Sequence, residues 1–215
     1  MRTSAPARRQ LAVRVGGAAW VLIALYFLAE VVTARAWPRP YRVRTNSVSN
    51  LGVTGCDGSA ATRLCSPLHT VINSAFVLTG VLILVGAVCL REFLPPGLLR
   101  RVALALFGVA AVSAALTGVV PIDVDAHLHQ VVATPTFVAR NAAMIVVAIG
   151  LYGRWRLFAL WTGLCCLVGI VGMAAILLRE GPFGITERLA LYPFTVWVVT
   201  AGFSALRARA PFWLL

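Results

Sequence analysis

Six apolar stretches, each close to the length that crosses a lipid bilayer, constrain this chain more than any other feature. They run from Leu11 to Val32, Leu68 to Leu90, Val102 to Val120, Val131 to Tyr152, Leu157 to Leu178 and Leu189 to Leu206. A helix needs about 20 apolar residues to span the hydrocarbon. Backbone amides inside lipid have no water to bond, so each stretch is read as a helix that satisfies its own N–H and C=O groups. The runs are continuous rather than alternating, which excludes a transmembrane barrel. The expected fold is an all-α polytopic bundle of six transmembrane helices in a single membrane domain. Its connections are short except for residues 33–67.

Only 12% of the 215 residues are charged, against about 25% in soluble domains. A water-soluble globule is thereby excluded. All 19 basic residues are Arg, and the formal net charge is +12. These Arg stand singly or in pairs between apolar runs, with no basic stripe and no aromatic platform, so nucleic acid is not an expected partner. Charges flanking spans read instead as topology signals and as contacts to anionic lipid, which makes membrane lipids the expected partners. With the N-terminus inside, eleven Arg are cytoplasmic and seven are outside, leaving Arg140 within a span. Both termini are therefore expected in the cytoplasm, with 33–67 as an outer loop. Ala34-Arg35-Ala36 resembles a signal-peptidase site, but the preceding apolar core exceeds the usual 7 to 15 residues, so the first span is expected to be retained.

Cys56 and Cys65 both fall in the outer loop, where an oxidising exterior permits a disulfide. Cys89, Cys165 and Cys166 lie within spans and read as small core residues.

The polar residues are unevenly placed. In this orientation six of the seven acids and all three His sit toward the outer face. Glu30 lies in the last turn of the first span, where a charge is costly unless paired or wetted. Ser66-Pro67 opens the second span with an N-cap hydroxyl and Pro at N1. His69 and Asn73 follow at i, i+4, with Gly80 on the same stripe, and Ser113 and Thr117 repeat that spacing. Residues 121–129 form the turn into the fourth span, with Asp123, Asp125, His127 and His129. Arg140 lies nine residues into that span, roughly 13 Å deep. Its expected partner is Glu30, then Asp123; otherwise it snorkels to the membrane surface or binds an anionic group. Pro135 is expected to loosen the helix and free carbonyls. In the last outer loop Thr186 is expected to cap the sixth span, and Arg188 has Asp125 or Glu30 as partners.

His127 and His129 at i, i+2 of an extended segment, with Asp123, Asp125 or His69, offer zinc-type ligands. No second ligand motif accompanies them and H-E-x-x-H is absent, so no metal and no cofactor is expected. A Ser nucleophile drawn from Ser47, Ser49 or Ser66 with His and Asp is arithmetically available, but no G-x-S-x-G elbow supports it.

Several motifs occur in a telling order. They are Ser47-Val48-Ser49-Asn50-Leu51-Gly52; Asn73 with Gly80; Gly118-Val119-Val120-Pro121-Ile122-Asp123; His129 with Ala133 and Phe137; and Gly184-Ile185-Thr186-Glu187-Arg188-Leu189. The chain resembles the domain of unknown function 998 family of six-helix bacterial and archaeal membrane proteins over nearly its whole length. The resemblance implies a polytopic membrane protein with no assigned activity. It marks Ser49, Asn50, Asn73, Asp123, His129, Glu187 and Arg188 as residues to test. The chain departs from the family in having Asn50 where Asp is frequent, in its Cys-bounded insert and in Arg140.

The functional expectation is a multi-pass protein of the bacterial plasma membrane with a polar site at its outer face. That site would hold a lipid headgroup or small anionic solute, using Glu30, Ser49, Asn50, His69, Asn73, Asp123, His129, Arg140, Glu187 and Arg188. The reading leans away from an enzyme. Its rivals are a membrane-embedded metal-dependent hydrolase and a structural subunit of an envelope complex. Neither substrate nor oligomeric state follows from the sequence.

Overall fold

In the computed structural model, residues 5–55 and 65–207 are described. The described chain is all-α. α1 (Ala5–Leu22) and α2 (Leu25–Arg35) form the first span, interrupted at Ile23–Ala24. The others are α3 (His69–Cys89), α4 (Leu98–Val119), α5 (Ala126–Leu151), α6 (Arg156–Leu178) and α7 (Phe183–Arg207). Six helical segments among the described residues are long and apolar enough to cross a membrane, the first running Pro6–Arg35. The ends differ from the sequence expectation by at most six residues, because flanking turns outside the continuous apolar runs, as at Leu98, Ala126 and Phe183, are also helical.

Each span packs on its chain neighbour, and α1 closes the ring against α7. One end of the bundle carries Ala5, Arg207 and the connections 90–97 and 152–155. The other, here called the loop end, carries 36–55, 65–68, 120–125 and 179–182. The outward faces of the spans are apolar, as at Leu28, Val112, Ile149 and Leu167. This is the surface that a bilayer solvates.

The core is aromatic where the first span meets the others. Trp20 packs on Phe107 and Trp197 at ring-centroid distances of 5.8 and 5.7 Å. Both indole N–H groups are satisfied: Trp20 donates to the Ile83 carbonyl and Trp197 to Thr162 Oγ1. Gly80 faces α4, where any Cβ would strike the Ala111 carbonyl, so this position of the stripe on the second span is a helix–helix contact, whereas the Asn73 amide bonds the Gly52 carbonyl rather than another membrane helix.

Pro135 acts as expected on α5. The Ser113 hydroxyl of α4 inserts into the ladder there, donating to the Val132 carbonyl at 2.5 Å and accepting from the Thr136 N–H at 2.9 Å. A neighbouring helix thus re-satisfies groups that the proline-disturbed turn leaves open.

Two expected caps are corrected. The second span begins at His69, not at Pro67, and the Ser66 hydroxyl donates to the Leu51 carbonyl instead of capping. Thr186 lies inside the first turn of α7 and donates back to the Phe183 carbonyl, because the turn Gly181-Pro182 starts the helix earlier than the apolar run does.

Candidate functional site

The loop end is organised by one short 3₁₀ turn, Val48–Gly52, which sits over the mouth of the bundle. Its Val48 and Leu51 side chains are fully buried, beside Tyr26, Ile72 and Phe76. A capping box starts it: Asn50 N–H donates to Ser47 Oγ, and Ser47 N–H to Asn50 Oδ1. That box needs only the side-chain oxygen of Asn50, an acceptor that Asp also carries.

Every flank of the turn is tied to a different helix. Val48 N–H donates to Glu187 Oε2 of α7 at 2.5 Å. Gly52 O accepts from Asn73 Nδ2 of α3 at 2.9 Å. Gly52 has no room for a Cβ, which would strike Asn73 Oδ1. Ser49 Oγ lies 3.1 Å from His129 Nε2 on α5. His129 Nδ1 lies 2.6 Å from the Val120 carbonyl. A carbonyl only accepts, so Nδ1 carries a proton, and the tautomer this selects has its Nε2 lone pair toward the Ser49 hydroxyl.

A second network binds the preceding loop. Arg188 Nη2 and Nε contact Glu30 Oε1 at 2.8 and 2.9 Å. Tyr192 donates to Glu30 Oε2. Arg188 Nη1 also donates to the carbonyls of Val43, Asn46 and Gly184, and Nη2 donates to Tyr41 Oη. Tyr41 in turn donates to the Ser47 carbonyl at 2.8 Å. Burial pushes the Tyr41 phenol up to about 12, with the Arg188 cation opposing that rise. Gly184 admits this loop: a Cβ there would collide with the Val43 and Asn46 carbonyls.

Asp123 forms a third tie. Its Oδ2 accepts from the N–H groups of Thr54 and Gly55, both at 2.8 Å, and from the Thr54 hydroxyl at 3.0 Å. Burial raises this carboxyl, but those donors together outweigh burial and hold it below the usual carboxylate value.

Beneath the 3₁₀ turn lies a cavity of about 50 Å³. Tyr26, Ser49, Thr79, Thr117, Thr136, Arg140, Glu187 and Thr195 supply its polar wall, and Phe76, Phe137 and Leu191 part of its apolar wall. Arg140 is only 5% exposed, so it does not reach lipid or the membrane surface. Among the described residues no carboxylate lies within 4.0 Å of it, and its Nε has no hydrogen-bond partner. Its guanidinium rests over the Phe194 ring, 5.0 Å from the centroid. The buried Tyr26 hydroxyl in the same wall is also without a partner.

The expected partners of Arg140 are thus corrected. Glu30 is taken by Arg188, the alternative raised for Arg188, and Asp123 by Thr54 and Gly55. Of the ten candidate residues, Ser49, Arg140 and Glu187 meet at the cavity, with His129 behind Ser49. Asn50 and Asn73 hold the turn, Glu30 and Arg188 hold the loop, and His69 bonds the Ser66 carbonyl at its own helix start. The extended-segment zinc reading is also corrected: 127 and 129 lie in the first turn of α5, where i, i+2 positions diverge. His127 is exposed while His129 is buried. Among the described residues no group of three His, Cys, Asp or Glu is placed to hold a metal. The expected pairing of Cys56 with Cys65 involves Cys56, which lies outside the described residues. The sequence reading missed Tyr26 and the four threonines, because a single hydroxyl inside an apolar run carries no directional signal.

No curated protein and no solved structure matches the chain. A family described as "Protein of unknown function (DUF998)" matches residues 10–204. That match spans all six membrane helices and every residue of the site, and the chain is a member of the DUF998 family of multi-pass membrane proteins.

Proposed function

We propose that this protein binds a small anionic group in the cavity under the 3₁₀ turn, with Arg140 as its counter-charge. The single observation behind this reading is a buried guanidinium that has no carboxylate partner among the described residues and lines a cavity with seven other polar side chains, six of them hydroxyls and the seventh the Glu187 carboxyl that accepts from Val48 N–H. An intramembrane cation is expensive unless something pairs it. Among the described residues the buried Glu30, Glu187 and Arg188 already have hydrogen-bond or ion-pair partners, which leaves Arg140 as the buried charge with unspent attraction for an anion. A volume of about 50 Å³ holds roughly three to five waters. That matches a carboxylate or phosphate group, either free or at the end of a lipid headgroup, and not a bulky solute.

The Arg distribution favours placing this site at the outer face of a bacterial plasma membrane. The same orientation favours a Cys56–Cys65 disulfide.

The test is native mass spectrometry of wild type and Arg140→Gln from mild detergent, with thermal titrations against inorganic phosphate and acetate. A bound anionic lipid present in wild type and lost in the variant identifies a headgroup. Stabilisation of lipid-free wild type by phosphate or acetate, absent in the variant, identifies a free anion. Equal lipid content and equal anion response in the two proteins would overturn the proposal. The metal-dependent hydrolase gains no support from the described residues, and no observation favours a structural subunit over a binder.

A further inference from the structure

We infer that the Ser49–His129 pair is a nucleophile and its general base, which gives the cavity a hydrolytic activity toward small carboxylic esters that carry an anionic group. The inference rests on the anion-binding reading for the substrate's charge, but the pair itself stands on separate geometry.

Three observations carry it. Ser49 Oγ is 3.1 Å from His129 Nε2, within the reach that proton abstraction needs. The Val120 carbonyl, 2.6 Å from Nδ1, fixes the tautomer and the ring orientation. It stands where a third group orients the base in nucleophile–base pairs on unrelated folds. Ser49 and Arg140, which has no carboxylate partner among the described residues, line the same cavity, so the cation that holds the substrate's charge borders the space in which the nucleophile would act.

The Ser49–His129 bond is not required to hold the turn. Ser47, Asn50, Ser66, Asn73 and Glu187 already satisfy its backbone groups.

The chemistry balances with water as the co-reactant. Ser49 Oγ forms a bond to the ester carbonyl carbon while its proton passes to His129 Nε2. The carbon–oxygen bond to the alkoxy group then breaks, and Nε2 returns the proton to the leaving oxygen, releasing an alcohol. A water next gives its proton to Nε2 and bonds the acyl carbon. The bond to Oγ breaks, Oγ recovers the proton, and a carboxylic acid leaves.

The probe is methanesulfonyl fluoride, small enough for this cavity. Ser49 Oγ would bond its sulfur, fluoride would leave, and Nε2 would take the proton. Full-length protein in detergent is treated at neutral pH and mapped by peptide mass spectrometry. The expected result is modification at Ser49 with Ser47 and Ser66 unmodified, at least tenfold slower in His129→Asn. That variant retains a side-chain amide to donate to Val120 but has no base. Melting curves show whether it is folded, and His129→Gln serves as a second variant without a base. Unmodified Ser49, or a rate unchanged in both folded variants, would overturn the inference. Anion titration of the same samples separates the two proposals. Anion binding without sulfonylation removes the dyad alone, and sulfonylation without Arg140-dependent anion binding removes the anion site alone.

Discussion

Glu30 and Arg188 form a buried ion pair that joins the first membrane span to the last, with Arg188 Nη2 2.8 Å from Glu30 Oε1 and both side chains under a tenth exposed. Removing one partner leaves the other charge without compensation in a low-dielectric site, at a cost of about 3–5 kcal/mol. Arg188→Met and Glu30→Gln are each expected to lower the unfolding midpoint strongly. The double variant should lose much less than the sum, because neither charge is then stranded. A double-mutant cycle in detergent checks this; additive losses would show that the pair is not coupled.

Arg140 is expected to behave in the opposite way. Its charge is buried without a carboxylate partner among the described residues, so an apolar replacement of similar length relieves a desolvation cost. What is lost is the contact with Phe194, about 0.5–2 kcal/mol. Arg140→Met should therefore melt at or above the wild-type temperature while losing the anion response. A large drop in melting temperature would place Arg140 among the structural residues.

Ser113→Ala should destabilise by about 1–3 kcal/mol, since it strands the Val132 carbonyl and the Thr136 N–H. In a Pro135→Ala background the penalty should shrink, because α5 then regains an N–H and can close its own ladder. Denaturant titrations of the four proteins measure this coupling. Equal penalties in both backgrounds would mean that the hydroxyl is not compensating for the proline.

The carboxyl of Asp123 is held below its ordinary value of 3.8. A depressed folded-state value makes the carboxylate stabilising above the unfolded value, and that contribution is lost as pH falls below it toward the folded value. Wild type should lose stability relative to Asp123→Asn only below about pH 4. Melting curves of both proteins from pH 7 to pH 3 test the sign; a difference that grows on the alkaline side would contradict it.

The proposed orientation is tested by labelling. In a background without the native cysteines, Val124→Cys at the loop end should react with an impermeant maleimide on intact cells. Leu98→Cys at the opposite end should react only after permeabilisation. Both positions are well exposed, at 67% and 65%. The reverse pattern would invert the bundle.

Six spans, their order and the gathering of polar residues at one end were set by local composition. Continuous apolar length is a one-dimensional property, and lipid allows it only one helical outcome. The disturbance at Pro135 was legible for the same reason, since it acts within one or two turns of helix, and Gly80 marked a close helix contact; the partner of Asn73 was not legible. Helix starts were less so, because caps such as Ser66 and Thr186 had competing backbone partners nearby.

Pairing was a tertiary matter. Glu30, Asp123, Glu187, Arg140 and Arg188 share the loop end and its approaches with further charged residues, and their residue types alone do not say which meet. Packing of α2 against α7 gave Glu30 to Arg188, and the chain path after the 3₁₀ turn gave Asp123 to Thr54 and Gly55. Arg140 was left with a cavity because ion pairing depends on a few ångströms of separation, which the closed ring of helices sets and which spacing along the chain does not. The approach of Ser49 to His129, 80 residues apart, has the same origin.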